Sequence, residues 1–206
     1  MALLSAILRG LHGAWRLLRL DAGGLSYFDA TPRGALTSFW SMLLVLPLDL
    51  AVRAIDIAVP SGDMPAESRN LGIHLALYVI GWLAPLVIIY VLVRWYGRGD
   101  RFWLFLSALN WSQVLQGIGM LLFTGLLAGT SSLVDMGAVA EAPPVNAVIG
   151  AFAALLAMGI FVVVYGYEWY VAWVSLEAGV ALPIIVVLLD FVTGAVLSKA
   201  VTVLFS

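Results

Sequence analysis

A chain of 206 residues that is 63% hydrophobic and 11% charged, with a mean hydropathy of +1.06, has too little polar surface for a water-soluble fold. Its net charge is -2, and its 10 basic residues are spread along the whole length, so the concentrated basic face of a nucleic-acid binder is missing and no nucleic-acid partner is expected. Without cysteine, disulfides, thiolate metal sites and cysteine nucleophiles are excluded.

The first apolar run, Met1 to Leu8, is followed by Arg9 with no basic region before it. That is the wrong order for a cleaved signal peptide, so the segment is expected to stay. On a wheel of about 100° per residue, Leu3, Leu4, Ile7, Leu8, Leu11, Trp15 and Leu18 share one face, while Arg9, His12, Arg16 and Arg19 gather on the other. The period reads as an amphipathic interfacial helix, with Arg9, Arg16 and Arg19 at anionic headgroups and Trp15 among acyl chains. A helix docked on the protein's own bundle would show the same period, and both readings stay open. Glycines and Pro32 mark the stretch from Asp21 to Arg33 as a connector, with Pro32 suited to the first turn of the next helix. Residues 1–33 are thus read as amphipathic helix and connector, and 34–206 as an all-α, polytopic bundle of five spans.

The first span begins near Gly34 and passes Asp49. Leu71 to Val93 follows, with His74 near its start, then Phe102 to Ala128 and Val145 to Tyr167, both uncharged. Gly179 to Phe205 is interrupted only by Asp190 and Lys199. The last four meet the requirement of about 20 apolar residues for a spanning helix, and the first is the weakest. Loop charge orients them, because short cytoplasmic loops carry the excess of arginine and lysine. Arg9, Arg16, Arg19 and Arg33 precede the first span, and Arg94, Arg98 and Arg101 join the second to the third, which puts both regions inside. The loop 54–70, with Asp56, Asp63 and Glu67 against Arg69, and the loop 130–146, with Asp135 and Glu141, fall outside. An inside amino terminus and an outside carboxyl terminus in a cytoplasmic (inner) membrane follow from five spans.

Ionisable groups at mid-helix cost about 2.5 to 3.5 kcal/mol on insertion scales, so each needs an account. Asp49 and Arg53 are four apart and able to pair on one helix face near an interface. Asp190 lies deep in the last span with Lys199 on the opposite face, so it needs a donor on another helix, a proton, or water. It reads as either a proton or cation relay or one buried hydrogen bond that fixes packing. Glu168, beside Tyr165, Tyr167, Trp169, Tyr170 and Trp173, reads as interfacial. Ser107, Asn110, Gln113, Gly117 and Thr124 form one stripe on the third span, expected to contact other helices, with Asn110 and Gln113 the nearest partners for Asp190. Gly125 with Gly129, Gly150 with Ala154 and Gly194 with Ser198 have small-xxx-small spacing.

No metalloprotease, nucleophile-elbow, phosphate-loop or dinucleotide motif occurs, and His12 and His74 are the only histidines. No catalytic residue, metal site or cofactor is expected. The segment Arg101-Phe-Trp-Leu-Phe-Leu-Ser-Ala-Leu-Asn-Trp-Ser-Gln-Val-Leu115 opens a helix on a basic residue and continues through a polar-aromatic turn. With Tyr167-Glu-Trp-Tyr-Val-Ala-Trp-Val-Ser-Leu-Glu-Ala-Gly-Val-Ala-Leu182, it resembles helices three to five of the Yip1-like membrane proteins, mainly over 101–205. The amino-terminal arginine-rich helix departs from that pattern, which in eukaryotic members has a longer polar domain. The resemblance implies a non-catalytic organiser whose partners are the lipid bilayer, other membrane proteins or a second copy. A small transporter or channel subunit using Asp190 and the Asn110/Gln113 stripe is the alternative, and an accessory subunit of a large membrane complex is a third reading.

Overall fold

The computed structural model describes residues 2–59, 70–139 and 144–204, and among these the chain is helical throughout, without strands. Asp63, Glu67, Arg69 and Glu141, on which part of the charge asymmetry rests, lie outside the described residues. Helix α1 spans Ala2–Leu18, and a 3-10 turn follows at Ala22–Tyr27. Helix α2 spans Pro32–Ser38 and α3 Trp40–Ala58, running on almost without a break. Helices α4 (Leu71–Trp95), α5 (Phe102–Val139), α6 (Pro144–Leu176) and α7 (Ala181–Leu204) complete the chain.

The helix starts follow from local chemistry. Thr31 accepts from the amide of Gly34 ahead of Pro32, a proline in the first turn, as its fixed φ favours. Asn70 accepts from the amides of Gly72 and Ile73 at the start of α4. Helix α5 runs to Val139, well past Thr130, where a loop was expected. No proline stands between Phe102 and Val139 to end it sooner.

Among the described residues, four helical segments are long and apolar enough to cross a membrane: Pro32–Ala58, Leu71–Trp95, Gly99–Thr130 and Val148–Leu176. Helix α7 is apolar too, but its stretch Ala181–Leu197 is shorter than a full span. Around the bundle, α3 packs on α5, α5 on α6, α6 on α7 and α7 on α4. Helices α3 and α4 approach one another less closely, and hydrogen bonds between side chains and across to backbone close that seam. The core concentrates where α5 begins and α6 ends. One cluster joins Ile89, Val93, Phe102, Phe105, Leu176 and Leu182, and a second joins Ala14, Leu17, Trp111, Tyr167 and Val171.

Helix α1 contributes to that second cluster. Gly10, Gly13, Ala14 and Leu17 are buried, and a Cβ on Gly10 would stand 2.3 Å from the Trp111 ring. Tyr167 Oη donates to the Ala14 carbonyl at 2.7 Å, and Tyr170 Oη to the Leu20 carbonyl at 2.8 Å. Leu4, Leu8, Trp15, Arg9 and Arg19 remain exposed on other sides of the helix. A face of small residues with Leu17 therefore docks on the bundle, flanked by the partly buried Ile7, Leu11 and Leu18, while Leu4, Leu8 and Trp15 stay free for lipid. Arg16 turns toward the connector, bonding Asp21 through Nη2 at 2.6 Å and Nε at 2.7 Å.

The turn between α6 and α7 places Glu177 at a φ of 48° and Gly179 at 71°. The first is uncommon for a side chain with a Cβ. An ion pair from Arg101 to Glu177 at 2.5 Å ties that turn to the start of α5.

Candidate functional site

The polar stripe of α5 divides into two parts with different work. Ser107 Oγ donates to the Asp29 carbonyl at 2.9 Å, and Asn110 Nδ2 donates to Ser38 Oγ at 2.8 Å, which in turn donates to the Ala35 carbonyl at 2.6 Å. These bonds pin the connector and α2 to α5. One and two turns further along, Gln113, Gln116 and Gly117 face a cavity of about 660 Å³ at the centre of the helix ring.

All five long helices from α3 to α7 line that cavity. Helix α3 supplies Val45 and Asp49, α4 supplies Tyr78 and Trp82, α6 supplies Tyr165 and Glu168, and α7 supplies Asp190 and Thr193. The remaining wall is mostly aliphatic, including Leu77, Leu86, Leu109 and Met120. Asn110 also reaches the wall, although its amide is already bonded to Ser38.

Glu168 is the most informative residue. It is 1% exposed, and its Oε2 has no hydrogen-bond partner. Read from the sequence as interfacial, it turns its side chain to the bundle interior, on the same face of α6 as Val164, Val171 and Ser175. That face repeats at three- and four-residue steps, and its carboxylate in a row of small and branched residues was the available signal. Asp190 lies close enough to Glu168 for the two carboxyl groups to interact electrostatically. Gln116, also missed, is 5% exposed with an unpartnered Nε2. It stands one turn beyond Gln113 and so extends the stripe already recognised.

The expected pair of Asp49 with Arg53 does not form. Asp49 Oδ2 instead accepts from His74 Nε2 across the α3–α4 seam at 2.6 Å, and Tyr78 Oη donates to the Met42 carbonyl at 2.6 Å. A partner on the facing helix is reached without bending a side chain back along its own helix, whereas Arg53 leaves its Nη2 buried and unpartnered. The small-xxx-small pairs do not mark close packing either. Among the described residues, nothing stands within 4 Å of a Cβ built on Gly125, Gly129, Gly150 or Gly194. Close approach occurs at Gly119, where such a Cβ would lie 2.6 Å from Val164 Cγ2.

The lining can do one thing well in physical terms. Two carboxyl groups in a largely apolar, partly aromatic enclosure favour a positive charge, since an uncompensated carboxylate there is costly. The amides of Gln113 and Gln116 supply both donors and acceptors. Among the described residues, no three histidine, aspartate or glutamate side chains converge as a metal site would require. No known protein family, characterised protein or solved structure matches this chain.

Proposed function

We propose that this chain is a small membrane transporter or channel subunit that accepts a positively charged solute in the cavity between α3 and α7. The observation that carries this reading is that Glu168, whose buried Oε2 has no partner, and Asp190 line the same cavity. Ionisable groups inside spans mark solute or proton pathways more often than packing sites. In this reading α7 is the fifth span, tilted or short, and Asp190 sits near mid-membrane. The protein lies in a cytoplasmic (inner) membrane, with α1 and Arg94 to Arg101 inside, as the arginine asymmetry favours.

Flux tests the function. The protein is reconstituted into vesicles, and sodium, potassium and ammonium-type gradients are imposed while internal pH and membrane potential are followed. Cation-dependent flux that is lost in Glu168→Gln and Asp190→Asn supports the proposal. Its absence for every cation, with the protein folded, overturns it. Orientation is tested separately. Because the native chain lacks cysteine, Arg98→Cys and Ser132→Cys can each be labelled alone with an impermeant thiol reagent. Opposite sidedness is expected, and labelling of both from one side would reverse the topology.

A second reading, a Yip1-like organiser of membrane proteins or lipids, draws on a different observation. Exposed apolar side chains cover long flanks of α4 and α6, among them Val87, Val91, Phe152 and Leu155. Lipid alone can cover such flanks, whereas an organiser would yield a defined partner in mild detergent.

A further inference from the structure

We propose that the central cavity takes an organic ammonium ion with an apolar body, held between the Glu168 and Asp190 carboxylates and the Tyr78 and Trp82 rings. This names the solute for the transporter reading and rests on it.

Three features of the wall favour an ammonium on a hydrocarbon frame over a bare alkali ion. First, the volume of about 660 Å³ is that of a pocket for a small organic molecule, not a coordination cage. Second, most of the lining is aliphatic, and Leu77, Leu86 and Met120 would meet a hydrocarbon surface but offer nothing to a hydrated metal ion. Third, Tyr78, Trp82 and Tyr165 line the cavity along with the carboxyl groups. Aromatic faces attract ammonium groups, tryptophan best, and more strongly where water is excluded. Glu168 Oε2 and Gln116 Nε2 lie buried in the wall without partners, so each has to turn toward the solute to gain one.

The titratable groups that face the cavity are Asp49 on α3, Tyr78 on α4, Tyr165 and Glu168 on α6 and Asp190 on α7, while α5 offers amides. Asp49 is already bonded to His74, so Glu168 and Asp190 carry the charge response. A proton and an ammonium ion compete for the same two carboxyl groups. Binding of a quaternary ammonium, which itself does not titrate, should therefore weaken as pH falls.

The test uses the full chain in lipid nanodiscs and benzyltrimethylammonium as the probe, with neopentylbenzene as its neutral isostere. Affinity is read by titration calorimetry and by displacement in ligand-observed magnetic resonance. Saturable binding is expected for the cation, about ten-fold or more tighter than for the isostere, and weaker by about ten-fold in Glu168→Gln. Trp82→Leu should also weaken it, while Trp95→Leu, at an exposed position far along α4, should not. If the cation binds no better than its isostere, or if Glu168→Gln binds it equally well, the organic-ammonium assignment is overturned. Sodium or potassium flux that depends on Glu168 but ignores the probe would overturn this assignment and leave the transporter reading standing. No cation flux and no probe binding in folded protein would overturn both. A stability measurement on each variant separates lost binding from lost fold.

Discussion

Where α1, the connector and α2 dock, Tyr167, Ser112, Ser38, Ser107 and Ser175 are buried and each hydroxyl has a partner, and the side chains of Trp111, Phe105, Leu17 and Leu176 fill the two clusters around them. On other faces of the same helices, with Glu168 next to Tyr167 and Gln116 one turn from Ser112, these two side chains are just as buried, yet each leaves a polar atom unpartnered beside a cavity. Both regions are made by α5 and α6, so the contrast is not one of different elements. It shows that polar satisfaction was spent on holding the connector and α1 in place, while the middle of the bundle was left with groups that only a guest, a proton or water can satisfy.

The sharpest way to break that comparison is to disturb the dense end. Gly10→Leu forces a side chain into the Trp111 ring, which a Cβ alone would approach to 2.3 Å. Overpacking of this kind costs about 1 to 3 kcal/mol. Thermal unfolding in detergent should shift down accordingly, and α1 should become accessible to protease in its Arg9 to Arg19 stretch. A variant with unchanged melting and protection would mean that α1 is an interfacial float and not part of the core.

Asn110→Leu comes next. It removes the donor to Ser38 Oγ at 2.8 Å and unpins α2 from α5, at an expected cost of about 1 to 2 kcal/mol. Asn110 also borders the cavity, so a loss confined to solute binding, with stability unchanged, would move it from the dense end to the hollow one.

The centre should respond in the opposite direction. Glu168→Gln replaces a buried carboxyl group whose Oε2 has no partner in the empty protein, so stability should be unchanged or rise by up to about 1 kcal/mol. Substantial destabilisation would show that Glu168 already holds a structural bond, and the cavity would lose its claim to an unsatisfied acid.

The helical, membrane-embedded class could be read from composition and the long uncharged runs alone, because a spanning helix announces itself by length. Ser107 and Asn110 were legible as helix contacts for a similar reason: polar groups repeating at 3.6-residue spacing in an apolar helix need protein neighbours. Glu168 was not. Its aromatic neighbours Trp169, Tyr170 and Trp173 are typical of a membrane interface, and only the rotation of α6 shows that the carboxylate points the other way from them. The docking of α1 was hidden likewise. The leucine-tryptophan stripe dominates its hydrophobic pattern, whereas the closest packing is at Gly10, Gly13 and Ala14, beside Leu17, and the three small residues carry almost no hydrophobic signal. The Asp49–His74 pair joins positions 25 apart in sequence and depends on how α3 and α4 face one another, which no local spacing encodes.

The smallest effect is expected at the edge of the dense region, where Asp21 closes the turn after α1. Its Oδ2 receives the Arg16 guanidinium at 2.6 Å and its Oδ1 accepts from the Gly23 amide at 2.9 Å. The hydrogen bond from Arg16, then that from Gly23, holds the carboxyl below its ordinary value of 3.8. A depressed value in the folded chain means that the contribution is fully present above the ordinary carboxylate range and disappears as pH falls through the folded value. Asp21→Asn keeps an oxygen for the Gly23 amide and loses the ion pair, so at neutral pH it should lower the thermal midpoint only slightly, and less in high salt. The gap between native and Asp21→Asn protein should then close on acidification below the ordinary carboxylate range, once the native Asp21 is protonated too. A gap that persists unchanged in strong acid would mean that the ion pair with Arg16 is a surface contact without influence on how α1 is held.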